Sequence, residues 1–510
     1  MSTPSTATPN VIASPYPSLT YPDTDIYSLI FGELTDEDAA LPAITELTTG
    51  TTVTYAQLKE MAEAIAGELA TRGIGPGDVV TLQVPNSINF AAALLGILRV
   101  GAACNPVGML MNQSDLEHIV EASGSKLFIG PTNMEQMPQI FSMELRSIAA
   151  AHARAPKVTV DPASVASIPF SSGTTGLPKG VQLTHRNLVS NILQTNWMMD
   201  RNGIGRGAAT LTVLPFSHIY GFTVLLLAPL LNRQHLHTLP KFDMGQFLRA
   251  HDEHAIEMTF IAPPMAVALA KDDSIDPAWF AASRLILCGA APVDSAIVNT
   301  VEQRFGTRII QAWGMTEASP VVTMNIHGDT DRASVGLPVP DSELRIVDID
   351  TLVDVAPGKQ GEVLVRGPQV MKGYLNNEKA NATTLLDDGW MRTGDIAYLD
   401  SDGALRVVDR AKEVIKYKGY QVAPAELEAV LLGHPDIADA GVVGFERDGL
   451  EIPRAFVVKR EGSSVTAEEI MNWVAERVTP YKKVRAVDFL PAIPKNPSGK
   501  ILRRELRDLP

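Results

Sequence analysis

The sequence predicts an α/β fold: a large N-terminal domain of mixed α/β sheets with a β-subdomain, followed by a small α+β C-terminal domain. Three observations predict it. Helical and strand periodicities alternate from Leu58 onward, the texture changes to short strands broken by Gly and Pro from about Ser334 to Arg366, and alternation returns after Arg410. A chain of 510 residues that is 45% apolar and 20% charged can bury a large core and divide into two or more domains.

Taken in order, residues 1–21 are rich in Ser, Thr and Pro and lack a basic region followed by an apolar one, so they read as a disordered extension and not a signal peptide. Leu58, Met61, Ala62, Ile65 and Leu69 recur at helical spacing between a cap at Thr54 and a stop at Gly73, and Val79 to Val84 reads as a buried strand. Ala166 to Phe170 suits a second buried strand, and Thr184 suits the cap of a helix carrying Leu188, Ile192 and Leu193. The β-subdomain holds Leu344 to Val347 and Val363 to Val365 as strands. A boundary near Asp409 gives domains of 22–409 and 410–510. Beyond it, Glu426 to Leu431 suggests a helix, Gly441 to Phe445 and Ala455 to Val458 two strands, and Ile470, Trp473 and Val474 a last helix.

Composition excludes several function classes. A net charge of −15, with no Lys/Arg cluster interleaved with aromatics, argues against a nucleic-acid partner. Phe90 to Val100 carries Arg99 and Val224 to Leu231 is short, so no segment reads as membrane-spanning. Cys104 and Cys288 sit far apart in small apolar surroundings, which suggests neither disulfide nor zinc and fits a cytoplasmic protein.

The run Ser171-Ser172-Gly173-Thr174-Thr175-Gly176-Leu177-Pro178-Lys179-Gly180 packs four hydroxyls, three glycines and a lysine between the expected strand and helix. Strand, Gly-rich loop, helix is a setting for phosphate. Glycines let backbone N–H groups approach an anion, hydroxyls add donors, and the lysine adds a mobile charge. The spacing differs from the Walker pattern, which ends Gly-Lys-Ser/Thr.

This loop resembles the phosphate-binding signature of the adenylate-forming superfamily, which includes acyl- and aryl-CoA synthetases, peptide-synthetase adenylation domains and beetle luciferases. Nearly the whole chain shares the resemblance. Leu214-Pro215-Phe216-Ser217-His218, Cys288-Gly289-Ala290-Ala291-Pro292, Trp313-Gly314-Met315-Thr316-Glu317, Thr393-Gly394-Asp395, Asp409-Arg410 and Pro497-Ser498-Gly499-Lys500 follow in family order. The resemblance implies the adenylate-forming fold with a mobile C-terminal domain, and a reaction in which ATP activates a carboxylate before a thiol displaces AMP.

Each motif then carries an implied role. The loop from Ser171 to Lys179 would hold the β- and γ-phosphates, with Gly289, Ala290, Ala291, Pro292 and Gly314 beside the nucleotide. Thr316 would lie near the α-phosphate and Glu317 would bind Mg²⁺, a cation that takes few protein carboxylates. Asp395 suits the ribose, since one carboxylate accepts from both vicinal hydroxyls. Arg410 would reach ribose or phosphate, and Trp313 offers a flat face for adenine. His218 would gate or orient the acyl carboxylate, and Lys500 would bridge that carboxylate and the phosphate. Lys412 would be the hinge; beyond it Lys416, Gly419 and Gln421 would face the nucleotide, substrate or pantetheine arm in the second of two domain poses.

Lys416 to Glu426 and His218-Ile219-Tyr220-Gly221 look most like the 4-coumarate:CoA ligase and luciferase branch. Aryl or fatty acids are implied, with CoA as acceptor and Tyr220, Ser295 and Ala312 at the acid pocket. Ser295 stands where the plant-ligase pattern has lysine, and Ala312 where it has glycine. The expectation is therefore an ATP-, Mg²⁺- and CoA-dependent carboxylic acid:CoA ligase acting on hydroxycinnamate-like acids. Alternatives are a medium- or long-chain fatty acyl-CoA synthetase, an acyl-AMP ligase loading a carrier protein, and a non-catalytic acyl-nucleotide sensor. The expectation is a free-standing enzyme with no fused carrier domain after the last motif, and the sequence leaves the oligomeric state open.

Overall fold

The computed structural model describes residues 10–509, except 136, 152–154, 172–177, 290–292, 294, 329–330, 332–333, 419, 448–449 and 496–498. Two large sheets form the body. In one, parallel strands Val79–Leu82, Ala103–Pro106 and Leu127–Gly130 lie side by side, and Val165–Ser167 joins the antiparallel strand Lys179–Thr184. In the other, Pro42–Glu46, His235–Thr238, Ala209–Thr212, Met258–Ile261, Leu285–Cys288 and Arg308–Gly314 run parallel, with antiparallel strands at both edges. Parallel strands need crossover connections, which is why helix and strand alternate along this part of the chain.

The helix Tyr55–Thr71 begins at a capping box in which the Thr54 hydroxyl accepts from the Gln57 N–H and the Gln57 side chain accepts from the Thr54 N–H. It packs against Ile88–Arg99, which is buried everywhere except Asn89 and Arg99. A helix apolar all round belongs inside a large core, not in a membrane, at this length. Gly96 allows the close approach, because a β-carbon there would stand 2.9 Å from the Ile65 side chain. Among the described residues no helix is long and apolar enough to cross a membrane.

A five-stranded antiparallel sheet contains the two strands expected between Ser334 and Arg366, here Glu343–Val347 and Gly361–Arg366. Met391–Leu399 and Leu405–Arg410 complete one side. Its other edge takes in part of the N-terminal stretch: among the described residues, Ile12 and Ala13 pair with Leu344 and Glu343. Ser18, the Leu19 N–H and Tyr21 all donate to the Asp341 carboxylate, and Tyr16 packs on Trp197. Two apolar residues suffice as a strand when an existing edge supplies the partners, which composition alone does not report.

The main apolar cluster runs from Ile26 to Leu405, and a separate one begins at Ile415. The second holds helices Pro424–Leu432 and Ala467–Ala475 against strands Ile437–Arg447, Leu450–Lys459 and Ala486–Phe489.

Candidate active site

A cavity of about 1980 Å³ lies where both large sheets end. Val84, Val107, Val213, Ala262 and Gly289, each just past the carboxyl end of a parallel strand, line it. Open α/β sheets bind ligands outside those ends. The C-terminal segment closes the other side with Lys412, Lys416, Gly499 and Lys500.

The phosphate-loop setting differs from expectation. Phe170–Ser171 pairs antiparallel with the start of Lys179–Thr184, Ser171 opposite Lys179, and the helix His185–Arg201 begins only after that second strand. The loop therefore closes a hairpin and does not open a helix, so any anion there relies on loop donors and Lys179, not on a helix dipole. Ser171 and Lys179 line the cavity. Ser172, Gly173, Thr174, Thr175 and Gly176 lie outside the described residues, as do Ala290, Ala291, Pro292 and Gly419.

Strand register assembles the polar wall. Asp395 sits opposite Arg410 on neighbouring antiparallel strands, and the Arg410 Nε meets Asp395 Oδ1 at 2.5 Å. The other oxygen, Oδ2, accepts from the Trp313 indole N–H at 2.9 Å. Burial pushes the Asp395 carboxyl up against the pull of Arg410, Trp313 and Lys500, while Asp395 in turn raises Arg410. These effects oppose each other, and two donors on one carboxylate decide for the ion pair. Two lone-pair directions of Asp395 remain for further donors.

Trp313 and Gly314 end the strand Arg308–Gly314, and Thr316 and Glu317 occupy the short turn after it. A β-carbon on Gly314 would stand 1.9 Å from the Pro320 carbonyl oxygen, so only glycine allows that turn. All four residues line the cavity. Glu317 is buried, and its Oε1 accepts from the Tyr374 hydroxyl at 2.9 Å.

His218 is reached from the opposite wall. The Tyr220 N–H donates to His218 Nδ1 at 3.2 Å, so the neutral ring carries its proton on Nε2. The ring is accessible to solvent, but only through a cavity walled by protein. Burial there pushes its pKa down to about 4, and the charge of Lys500 acts in the same direction. Buried Asn86 holds this segment, donating to the Leu214 carbonyl and accepting from the Phe216 N–H. Lys500 is itself pulled below its ordinary value, by burial first and then by Arg410, against Asp395. Its neighbour Gly499 packs on Ala262 and Pro264 at the start of the helix Pro263–Lys271.

Tyr220 and Ala312 line the cavity beside Gly289. The Tyr220 hydroxyl is buried with no hydrogen-bond partner among the described residues, and burial raises its pKa well above the ordinary value. Ser295 is the first residue of the helix Ser295–Phe305. Lys412 and Lys416 are exposed at the cavity, and the Lys416 N–H donates to Glu451 at 2.7 Å. The backbone of Gln421 pairs with Lys416; its side chain lies outside the described residues.

Two residues were missed by sequence reasoning. Asn86 and Tyr374 act through contacts to residues more than fifty positions away, and neither lies in a run of unusual composition.

The chain is similar to known proteins over most of its length. The AMP-binding enzyme family matches residues 35–375, and its C-terminal domain family matches 426–500. 4-Coumarate–CoA ligase 5 of Oryza sativa subsp. japonica is 36% identical over 526 residues, covering 98% of this chain and 97% of that protein. O-succinylbenzoate coenzyme A synthetase (MenE) of Bacillus subtilis, solved with ATP and magnesium ion, superposes with a TM-score of 0.83 at 27% identity, covering 95% of this chain and 99% of that one. ATP-bound MatB of Rhodopseudomonas palustris, at 24% identity, shares the fold with a TM-score of 0.88 over 96% of this chain and 99% of that one.

Proposed function

We infer the function of this chain from the AMP-binding enzyme family, to which it belongs: it is an acid-thiol ligase that makes an acyl-adenylate from ATP and a carboxylic acid, then a thioester. The observation that carries the reading is a convergence. Lys500, Arg410 and Lys179 bring three cations to one cavity with Glu317 and a neutral His218, Asp395 is the buried ion-pair partner of Arg410, and the far wall is apolar around Tyr220 and Ala312.

In the first half-reaction a carboxylate oxygen of the acid attacks the α-phosphorus and pyrophosphate leaves. Two anions must meet, and Lys500 and Arg410 lower the cost of that approach. His218 donates from Nε2 to the acyl carboxylate. Asp395 accepts from the ribose hydroxyls, Trp313 flanks the adenine, and Ser171 and Lys179 hold the outgoing phosphates. Glu317 fits Mg²⁺ by donor chemistry: a buried carboxylate beside the phosphate site, one oxygen tied to Tyr374 and the other, Oε2, without a hydrogen bond among the described residues. A bound Mg²⁺ would supply charge neutralisation between the phosphates. In the second half-reaction the CoA thiolate attacks the acyl carbon and AMP leaves. For that step we take 22–409 and 410–510 as domains that move about Lys412, bringing Lys416 and Gln421 to the nucleotide.

The acid is an aryl acid with a phenolic hydroxyl, as the names of the plant relatives suggest and as the unpartnered Tyr220 hydroxyl supports. A second reading, a longer apolar acid, is favoured by exposed Met109, Leu110 and Phe242, which line the same cavity. Incubation with ATP, Mg²⁺ and CoA plus 4-coumarate, cinnamate, octanoate or palmitate tests both. A 4-coumaroyl thioester formed fastest is the expected product; a preference for palmitate selects the second reading, and no thioester from any acid overturns the first.

A further inference from the structure

We propose that Tyr374 is a positioning residue for the phosphate site, orienting Glu317 through its hydroxyl and Lys179 through its ring. This rests on the ligase reading above, and it concerns a residue outside every motif that led there. The two-residue strand Gly373–Tyr374 pairs with Lys179–Thr184, with Tyr374 opposite Val181. Lys179 and Val181 point to the same face of their strand. The Lys179 Nζ accordingly lies over the Tyr374 ring, 4.7 Å from its centroid. On the other side the Tyr374 hydroxyl donates to Glu317 Oε1 at 2.9 Å, and the Met371 N–H donates to the Glu317 carbonyl at 2.8 Å. One short segment thus holds Glu317 by side chain and backbone while it supports the lysine at the end of the phosphate loop.

A glutamate has three rotatable side-chain bonds, and freezing them at the moment of binding costs affinity. With Oε1 tied in advance, Oε2 points to a fixed place, which is how outer partners tune a metal ligand. A tyrosine serving the core alone would need only its ring. In that case phenylalanine would replace it without consequence, whereas a positioning role requires the hydroxyl.

The test titrates Mg²⁺ against binding of α,β-methylene-ATP, followed by calorimetry, for the wild type, Tyr374→Phe, Tyr374→Leu, Glu317→Gln and the Tyr374→Phe/Glu317→Gln pair. Tyr374→Phe is expected to raise the Mg²⁺ needed for tight nucleotide binding by about tenfold, the lower end of outer-partner effects, and to leave metal-free nucleotide affinity unchanged. Tyr374→Leu also removes the ring beneath Lys179 and weakens metal-free binding, by roughly threefold to tenfold. In the Glu317→Gln background, Tyr374→Phe should have no further effect, because both changes remove one coupled unit. An unchanged Mg²⁺ titration in Tyr374→Phe, or a loss that adds in full to that of Glu317→Gln, overturns the proposal. A wild-type protein that binds the magnesium nucleotide and activates no acid would instead overturn the ligase reading, while the Tyr374 comparison would keep its meaning.

Discussion

Replacing Lys500 with alanine separates the two half-reactions. The ammonium shares the cavity with Arg410 and His218, feels the charge of Asp395, and follows Gly499, which sits close to Ala262 and Pro264. At an effective dielectric of about 20 and a separation of about 4 Å, a unit charge gains roughly 4 kcal/mol against developing negative charge. Water entering the vacated space and the neighbouring Arg410 recover part of that, leaving about 3 kcal/mol, the scale of a lost oxyanion donor, or on the order of a hundredfold in rate. Pyrophosphate exchange into ATP reads adenylation, and CoA consumption from supplied acyl-AMP reads the second step. Exchange should fall by about a hundredfold or more while thioester formation from acyl-AMP is spared, because the charge acts only in the docked pose. The pH profile offers a second reading of the same residue. Burial lowers the Lys500 pKa below that of an ordinary lysine, so the ammonium and adenylation are both lost as pH rises through that lowered value. The alanine variant should lack that limb. Equal loss in both half-reactions, or exchange reduced by less than about tenfold, would refute the assignment.

Tyr220→Phe should reduce the preference for 4-coumarate over cinnamate in kcat/KM by about tenfold, since one hydrogen bond of about 1 to 1.5 kcal/mol disappears; an unaltered ratio would remove Tyr220 from recognition. Lys412→Pro fixes the hinge dihedral and should slow thioester formation more than pyrophosphate exchange. If CoA transfer by the folded variant is normal, the hinge lies elsewhere. Acid should destabilise the fold through the packed imidazoles of His235, His237 and His251, whose pKa values burial lowers from 6.5 to about 4, 3 and 3. Folding favours their neutral forms, so this contribution is complete above pH 6.5 and is lost as pH falls toward 3. Calorimetric Tm should drop between pH 7 and pH 5, and drop less in His237→Phe; a flat Tm across that range would contradict the account.

The α/β class, the helix from Tyr55 with its Thr54 cap, the helix from His185 with its Thr184 cap, and the family are all legible in the amino-acid order. These signals are local: a periodicity, a cap and a contiguous motif each report on neighbours within a few residues. Tertiary structure decided what depends on distant partners. It placed Asp395 against Arg410 and Trp313, tied Glu317 to Tyr374, and gave Ile12 and Ala13 a sheet edge. The Gly-rich motif implies a strand, loop and helix in succession, whereas Ser171 pairs with Lys179 and a second strand precedes the helix. Strand register and the order of strands in a sheet bring residues such as Asn86 and Leu214, or Glu317 and Tyr374, into contact. Neither is written in local composition, because the energy that selects them comes from burying whole faces together.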